Sequence, residues 1–492
     1  MELTYLYLLL TFLLFFIYFI VISLFGYLIC IIFNKNYLYK KLTLKRLLKT
    51  FAIGLSLHLI YGTIIISLRI FNFLTIYIPF IICDIGLMIY IFYKKSNSIK
   101  NHFRMYNKRK VISFLKEKRS FIIIFCVVFF LLFELQLYFI NHFQPYQAND
   151  PYFWFNNIWF VHKYGFLDYT VIKSYTPGFV IFCSSMISII NNYYWFYYIF
   201  KFLPLFLSVI NILVLFVISK DIFKNKIYIC FTLVMYLSFT YIFFRNNKSL
   251  PSLLATTLGF LFLLFLGKGS SKDIDLKNSN LRNFLLLSIK NKRIFLKGLL
   301  ITGITLANPI YGLFFMIFYF LYEFFLFFTR LKTEFKPTHS KLLLTRNFFL
   351  TQLLTVLIFV ILITPFIVGT SINIGRPIFE AYLFYFKEIE ITQNSMIQIP
   401  LFGGYFREIG VWFLYESFYR YIHQFFSLIF TPKPLSDFYI YTIQIGIFLL
   451  IIGIFINFNK HYRFNEKQNT LIKFFKFTFI LTIVIFGLFE LI

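Results

Sequence analysis

Charge is scarce in this chain. Of 492 residues only 14% are Asp, Glu, Lys or Arg, against about 25% in an ordinary soluble domain. That excludes a soluble globular protein. Paired cysteines are also missing. Cys30, Cys83, Cys126, Cys183 and Cys230 all lie in apolar stretches with no CxxC among them, which argues against a disulfide framework or a zinc site. No HxxxH pair links the seven histidines, and neither a Walker motif nor GxGxxG occurs. A nucleotide-driven pump therefore has no support. Alternation at period two is absent as well, so a membrane β-barrel is not indicated.

What the chain has instead is long apolar runs. Hydrophobic residues make up 60% of it, and stretches of 18 or more uncharged residues recur. Each is long enough to cross a hydrocarbon core of about 30 Å. The pattern predicts an all-α, polytopic transmembrane helical bundle of about twelve crossings, a count taken by the windowed reading of. They fall at 5–33, 50–68, 72–93, 121–140, 193–218, 227–244, 250–267, 296–308, 310–329, 347–367, 438–458 and 474–491. The run from Leu3 to Phe33 is too long for a cleaved signal peptide and lacks a basic leader, so it reads as a retained first helix. The 75 Phe and 36 Tyr accompany abundant Ile, Lys and Asn. That bias makes lipid-facing and core filling the ordinary reading of most of these rings.

A net charge of +29 suggests nucleic acid, but its distribution excludes that partner. Residues 35–49 hold six Lys or Arg, 94–119 ten, 268–297 eight and 330–346 five. Basic blocks between apolar segments are a topology signal and assign these loops to the cytoplasm. Residues 141–192 and 368–437 are then extracytoplasmic. Their charge is balanced: Lys163 and Lys173 against Asp150 and Asp168 in 141–175, and five basic against six acidic residues in 368–437. The stretch 176–190, "TPGFVIFCSSMISII", is apolar. Counting it as a crossing would put the basic loops at 219–226 and 268–297 on opposite sides. It reads as a helix lying in or dipping into the outer interface. The chain divides into N-terminal helices with basic loops (1–120), a transmembrane core with the first external loop (121–367), a long external loop (368–437) and C-terminal helices (438–492).

Two large external segments point to a site at the outer membrane face rather than at the midplane, where transporters place theirs. Asp150, in "QPYQANDPYFWFN", is the leading carboxylate. Pro151 suits a first helical position, and Asn149 or Asp150 suits its cap. The stretch that follows reads as a short amphipathic helix ended by Gly165, with Phe153, Trp154, Ile158, Trp159 and Val161 in the headgroup zone. On spacing alone, Asp150 reads either as a helix cap or as a working carboxylate. Asp168 is a second external carboxylate in a turn context, "GFLDY". Asp84 and Glu134 lie inside apolar helices, where ionisable groups are costly. Asp84 is expected to pair with a basic residue of a neighbouring helix or to serve a functional site.

Residues 134–215 resemble the first external loop of the GT-C superfamily of membrane glycosyltransferases. "NDPYFWFNNIWFVHKYG" is similar to the Asp-Pro-Tyr form of oligosaccharyltransferase catalytic subunits. "SYTPGFVIF" resembles a Tyr-Pro-Pro-Gly element that starts a second juxtamembrane helix, with Thr176 in place of the first proline. The stretch 191–220, with Lys201 and Pro204, resembles the return helix, and "GLLITGITLANPIYGLFF" a later hairpin turning at Asn308-Pro309. The order of elements matches over most of the chain; similarity of residues is confined to 140–215 and 298–315. Protein O-mannosyltransferases and aminoarabinose transferases are of the same type.

The resemblance implies extracytoplasmic juxtamembrane helices and transfer of a sugar from a polyprenyl-phosphate donor to an extracytoplasmic acceptor (a glycan, a lipid or a protein), at the outer face of the cell membrane. Asp150, with Asp168 beside it, becomes the catalytic candidate. A carboxylate there takes the acceptor's proton as general base, or holds a divalent metal against the leaving phosphate. Metal-dependent members carry a second acidic motif in the next external loop; here that loop is "RNNKSL". No cofactor is therefore expected, and a metal is not favoured. Arg245 and Lys248 of that loop would grip the lipid phosphate, or merely snorkel to the interface. Tyr152, Lys163, Tyr175, Asn308, Arg376 and Arg407 complete the substrate-binding candidates. A lipid-linked glycan flippase, or a polysaccharide polymerase or ligase working through arginines of 368–437, are the alternatives.

Overall fold

The computed structural model describes residues 2–33, 37, 43–104, 149–167, 176–189, 192–222, 229, 233, 251–266, 292–333 and 338–375. The expected crossings 121–140, 227–244, 438–458 and 474–491, Glu134 and the loop 368–437 lie outside these residues, save 229, 233 and 368–375. Every regular element among them is helical: α1 (Glu2–Phe33), α2 (Leu44–Ser67), α3 (Phe73–Arg104), α4 (Asn149–Tyr164), α5 (Gly178–Ile187), α6 (Tyr193–Ile222), α7 (Pro251–Leu263), α8 (Lys292–Ala307), α9 (Pro309–Thr333) and α10 (Thr338–Ile374). Six of them, α1, α2, α3, α6, α9 and α10, are long and apolar enough to cross a membrane, as a helical membrane protein requires. α7 and α8, expected as crossings, have 13 and 16 residues.

Local chemistry sets the helix ends. Thr43 caps α2, its hydroxyl accepting from the Arg46 amide. At α3, Asn72 and Thr75 bond each other's backbone amides at 3.0 and 2.9 Å, a reciprocal cap. Pro79 inside α3 deprives the Thr75 carbonyl of its helical partner. The Tyr61 hydroxyl of α2 fills the place at 2.9 Å.

The centre of the bundle is a close crossing of α1 and α2. A Cβ at Gly54 would come within 1.9 Å of the Ile22 carbonyl, and one at Gly26 within 1.9 Å of the Thr50 carbonyl. Only glycine permits that approach, and small residues at such crossings replace the hydrophobic drive that lipid removes. α8 packs against α2, α7, α9 and α10. Between α8 and α9 lies a buried ion pair, Lys297 with Glu323. The Lys297 Nζ stands 4.9 Å from the centre of the Tyr319 ring, and the Tyr319 hydroxyl is 3.4 Å from Thr355 of α10.

Candidate functional site

α4 and α5 do not run the thickness of a membrane. At about 1.5 Å per residue, the 16 residues of α4 and 10 of α5 span roughly 24 and 15 Å. α5 begins at Gly178 with Pro177 at its cap, as the break at Pro177-Gly178 suggests. It is not a free interfacial helix, however: all ten of its residues are buried. It packs against α2, α4 and α8, with further contacts to α1, α3, α6 and α7.

The two short helices run side by side in the same direction. The Trp154 ring meets Phe179 edge-on at 5.8 Å, and the Ser184 hydroxyl donates to the Ile158 carbonyl at 3.3 Å. The start of α5 abuts the α8–α9 turn. A Cβ at Gly178 would fall 2.3 Å from the Leu306 carbonyl and 2.9 Å from the Ala307 amide nitrogen, so this packing needs glycine there. Asn308 is buried in that turn and caps α9, its side-chain oxygen accepting from the Tyr311 amide at 3.3 Å. Pro309 takes the first helical position after it. Thr176, also buried, carries an unpartnered hydroxyl at this end.

Asp150 and Tyr152 lie in the first turn of α4, which opens at Asn149 rather than at Pro151. Trp154, one turn on, rests against the second residue of α5. The fold therefore sets the "TPG" start of α5 against the "ANP" turn before α9, while the "NDPY" start of α4 extends past α5 at the same end of the helix pair.

The far end of α4 is a separate place. Gly165, at φ +75°, turns the chain out of the helix, and its carbonyl accepts from the Phe71 amide at 3.0 Å. Lys163 is exposed, its Nζ 5.3 Å from the Tyr164 ring centre. Thirteen residues of helix separate it from Asp150, about 20 Å at the helical rise. The two cannot serve one small group.

Arg69 joins this second end. Its guanidinium donates twice to the Asn373 side-chain oxygen of α10, at 3.3 and 3.1 Å, and stands 5.5 Å from the Phe166 ring centre. Its backbone is left-handed, φ 60°, sparse for a residue with a Cβ. Arg69 was not among the sequence candidates, yet a signal existed. It is the single basic residue between crossings 50–68 and 72–93, an exception to the basic-loop pattern.

One expectation is corrected. Trp154, Ile158 and Val161 are buried at 3%, 0% and 0% exposure instead of anchoring in headgroups. Phe155 stacks on Phe196 of α6 at 4.2 Å and Trp159 on the same ring at 5.7 Å. The apolar face of α4 meets α5 and α6, so protein rather than lipid takes it up. Asp168, Tyr175, Arg245, Lys248, Arg376 and Arg407 lie outside the described residues. Among the described residues no group of three or more His, Cys, Asp or Glu gathers. Comparison with protein-family models, curated proteins and solved structures finds no match to the chain.

Proposed function

We propose that this chain is an integral membrane glycosyltransferase of the GT-C type. It moves a sugar from a polyprenyl-phosphate donor to an acceptor on the extracytoplasmic side of the cell membrane. Asp150 is its general base. The observation that carries the reading is the pairing of the non-spanning α4 and α5, with the start of α5 set against the α8–α9 turn. Paired short helices of this kind are what the resemblance implies for the juxtamembrane segment.

In this reading the acceptor loses its proton to Asp150 as it attacks the anomeric carbon, and the lipid phosphate departs. Because Lys163 and Arg69 stand at the opposite end of α4, they read a remote part of an extended substrate. Phosphate neutralisation at the reacting end then falls to Arg245 and Lys248, with Arg376 and Arg407 serving the acceptor and Tyr152, Tyr175 and Asp168 completing the site. The remaining crossings bring the total to about twelve, as the apolar runs indicate.

A lipid-linked glycan flippase is the second reading, favoured by the ionisable residues inside the bundle, Asp84 and the Lys297–Glu323 pair. Reconstitution in liposomes with a radiolabelled polyprenyl-phosphate sugar separates the two. The transferase reading expects label to move onto acceptor and free polyprenyl phosphate to accumulate. Label that crosses the bilayer while still on its carrier, with none transferred, would overturn it.

A further inference from the structure

Asp84 is left unexplained by sugar transfer. It lies on α3, the least enclosed of the six long helices, with 28% of its apolar window buried against 78% for α2. α3 packs mainly on α1, with further contacts to α2 and α5, through a face formed by Ile76, Tyr77, Phe80, Asp84 and Leu87. Phe80 meets Phe25 of α1 at 4.4 Å. Leu87 packs against Ile31 with Tyr27 and Leu28 beside it. Asp84 sits between these two contacts, one turn from each, and is 5% exposed.

Among the described residues neither of its carboxyl oxygens has a hydrogen-bond partner. The titratable groups on the elements around Asp84 include Tyr18, Tyr27 and Cys30 of α1, His58 and Tyr61 of α2, Cys183 of α5, and Tyr77, Cys83 and Tyr90 of α3 itself. The cations at the start of α2 are engaged elsewhere: Lys45 with Asp221, Arg46 over Tyr37 and Lys49 over Phe265. No described lysine or arginine pairs with Asp84.

A bare carboxylate in such surroundings costs several kcal/mol. It is retained when paired, when it binds a cation, or when it carries a proton. The first is absent among the described residues, and among them no group of three or more His, Cys, Asp or Glu gathers to hold a metal ion. We propose that Asp84 is a proton-binding site. It is carried as the neutral acid within the α1–α3 seam, and it releases its proton when α3 moves off α1 and water reaches the carboxyl. The bundle thereby gains a proton-linked movement of one peripheral helix. This holds whether or not the chain transfers sugar.

The test uses full-length protein in detergent micelles and in liposomes, treated with dicyclohexylcarbodiimide. The acid O–H adds across the carbodiimide and the adduct rearranges to a stable N-acylurea, which mass spectrometry finds on the peptide carrying Asp84. The proposal expects that adduct in acidic medium and its progressive loss as pH rises. It expects no adduct from a water-soluble carbodiimide and none in Asp84→Asn. The pH series is read on the native chain, so it stands even if the variant fails to fold. Three results would overturn the proposal. They are an unmodified Asp84 at acidic pH where other carboxyls react, labelling that ignores pH, and protection by sodium at constant pH, which would mark a metal-cation site.

Discussion

α5 and α3 are both apolar helices, and they are opposites. α5 has ten residues, all buried, and cannot reach across a bilayer. α3 has a spanning window of 18 residues and turns Ile78, Ile82, Ile85 and Ile89 outward. Hydropathy alone would score them alike; length and enclosure separate them. The short helix is the hub on which α4 and the α8–α9 turn are set. The long one is a peripheral strip whose single buried acid has no partner. In this molecule, being apolar marks either lipid contact or the most enclosed part of the interior, and glycine at close approaches distinguishes the second.

The contrast makes ranked predictions. The largest effect belongs to the enclosed ion pair of the hub side. Lys297→Met leaves Glu323 charged and buried, and is expected to cost about 4 kcal/mol of stability. Removing both charges, Lys297→Met with Glu323→Leu, should recover most of it. Thermal unfolding followed by size-exclusion in detergent checks both; a double variant no better than the single would break the account of that pair. Next come the two helices compared directly. Phe179→Ala empties a fully buried site under Trp154 and is expected to cost about 3 kcal/mol. Ile82→Ala, on a 63% exposed side chain of α3, should shift stability by about 0.5 kcal/mol or less. Equal losses at the two positions would erase the distinction between hub and periphery.

Much of the fold was legible in the runs. Expected crossings at 5–33, 72–93, 193–218, 310–329 and 347–367 meet α1, α3, α6, α9 and α10. The run at 50–68 meets α2, which starts six residues earlier because a helix carries its basic first turns without penalty outside the apolar window. α5 was legible for a different reason. Its Pro-Gly start and the parity of the basic loops both exclude a crossing there.

The pairings were not legible. Lys297 with Glu323, Arg69 with Asn373 and Trp154 with Phe179 join residues from 25 to 304 apart in sequence through tertiary packing, and periodicity carries no such information. The same limit hid the burial of Trp154 and Ile158. An aromatic stripe suits a headgroup belt and a helix–helix contact equally well, and only the neighbours of α4 decide. The site was legible in part: its motifs are written in the chain, and their meeting at one end is a property of the fold.

The central claim is that the turn opening α4 carries the working carboxylate. Asp150→Asn keeps the size and the capping ability of the side chain while removing its basicity. Sugar transfer from a polyprenyl-phosphate donor, measured for this variant and the native chain at equal membrane-inserted amounts, tests the claim most directly. The account predicts a fall of about a hundredfold or more, the usual loss on removing a general base, with thermal stability unchanged. Transfer at the native rate would contradict it and leave Asp150 as a first-turn residue of α4 with no part in the chemistry.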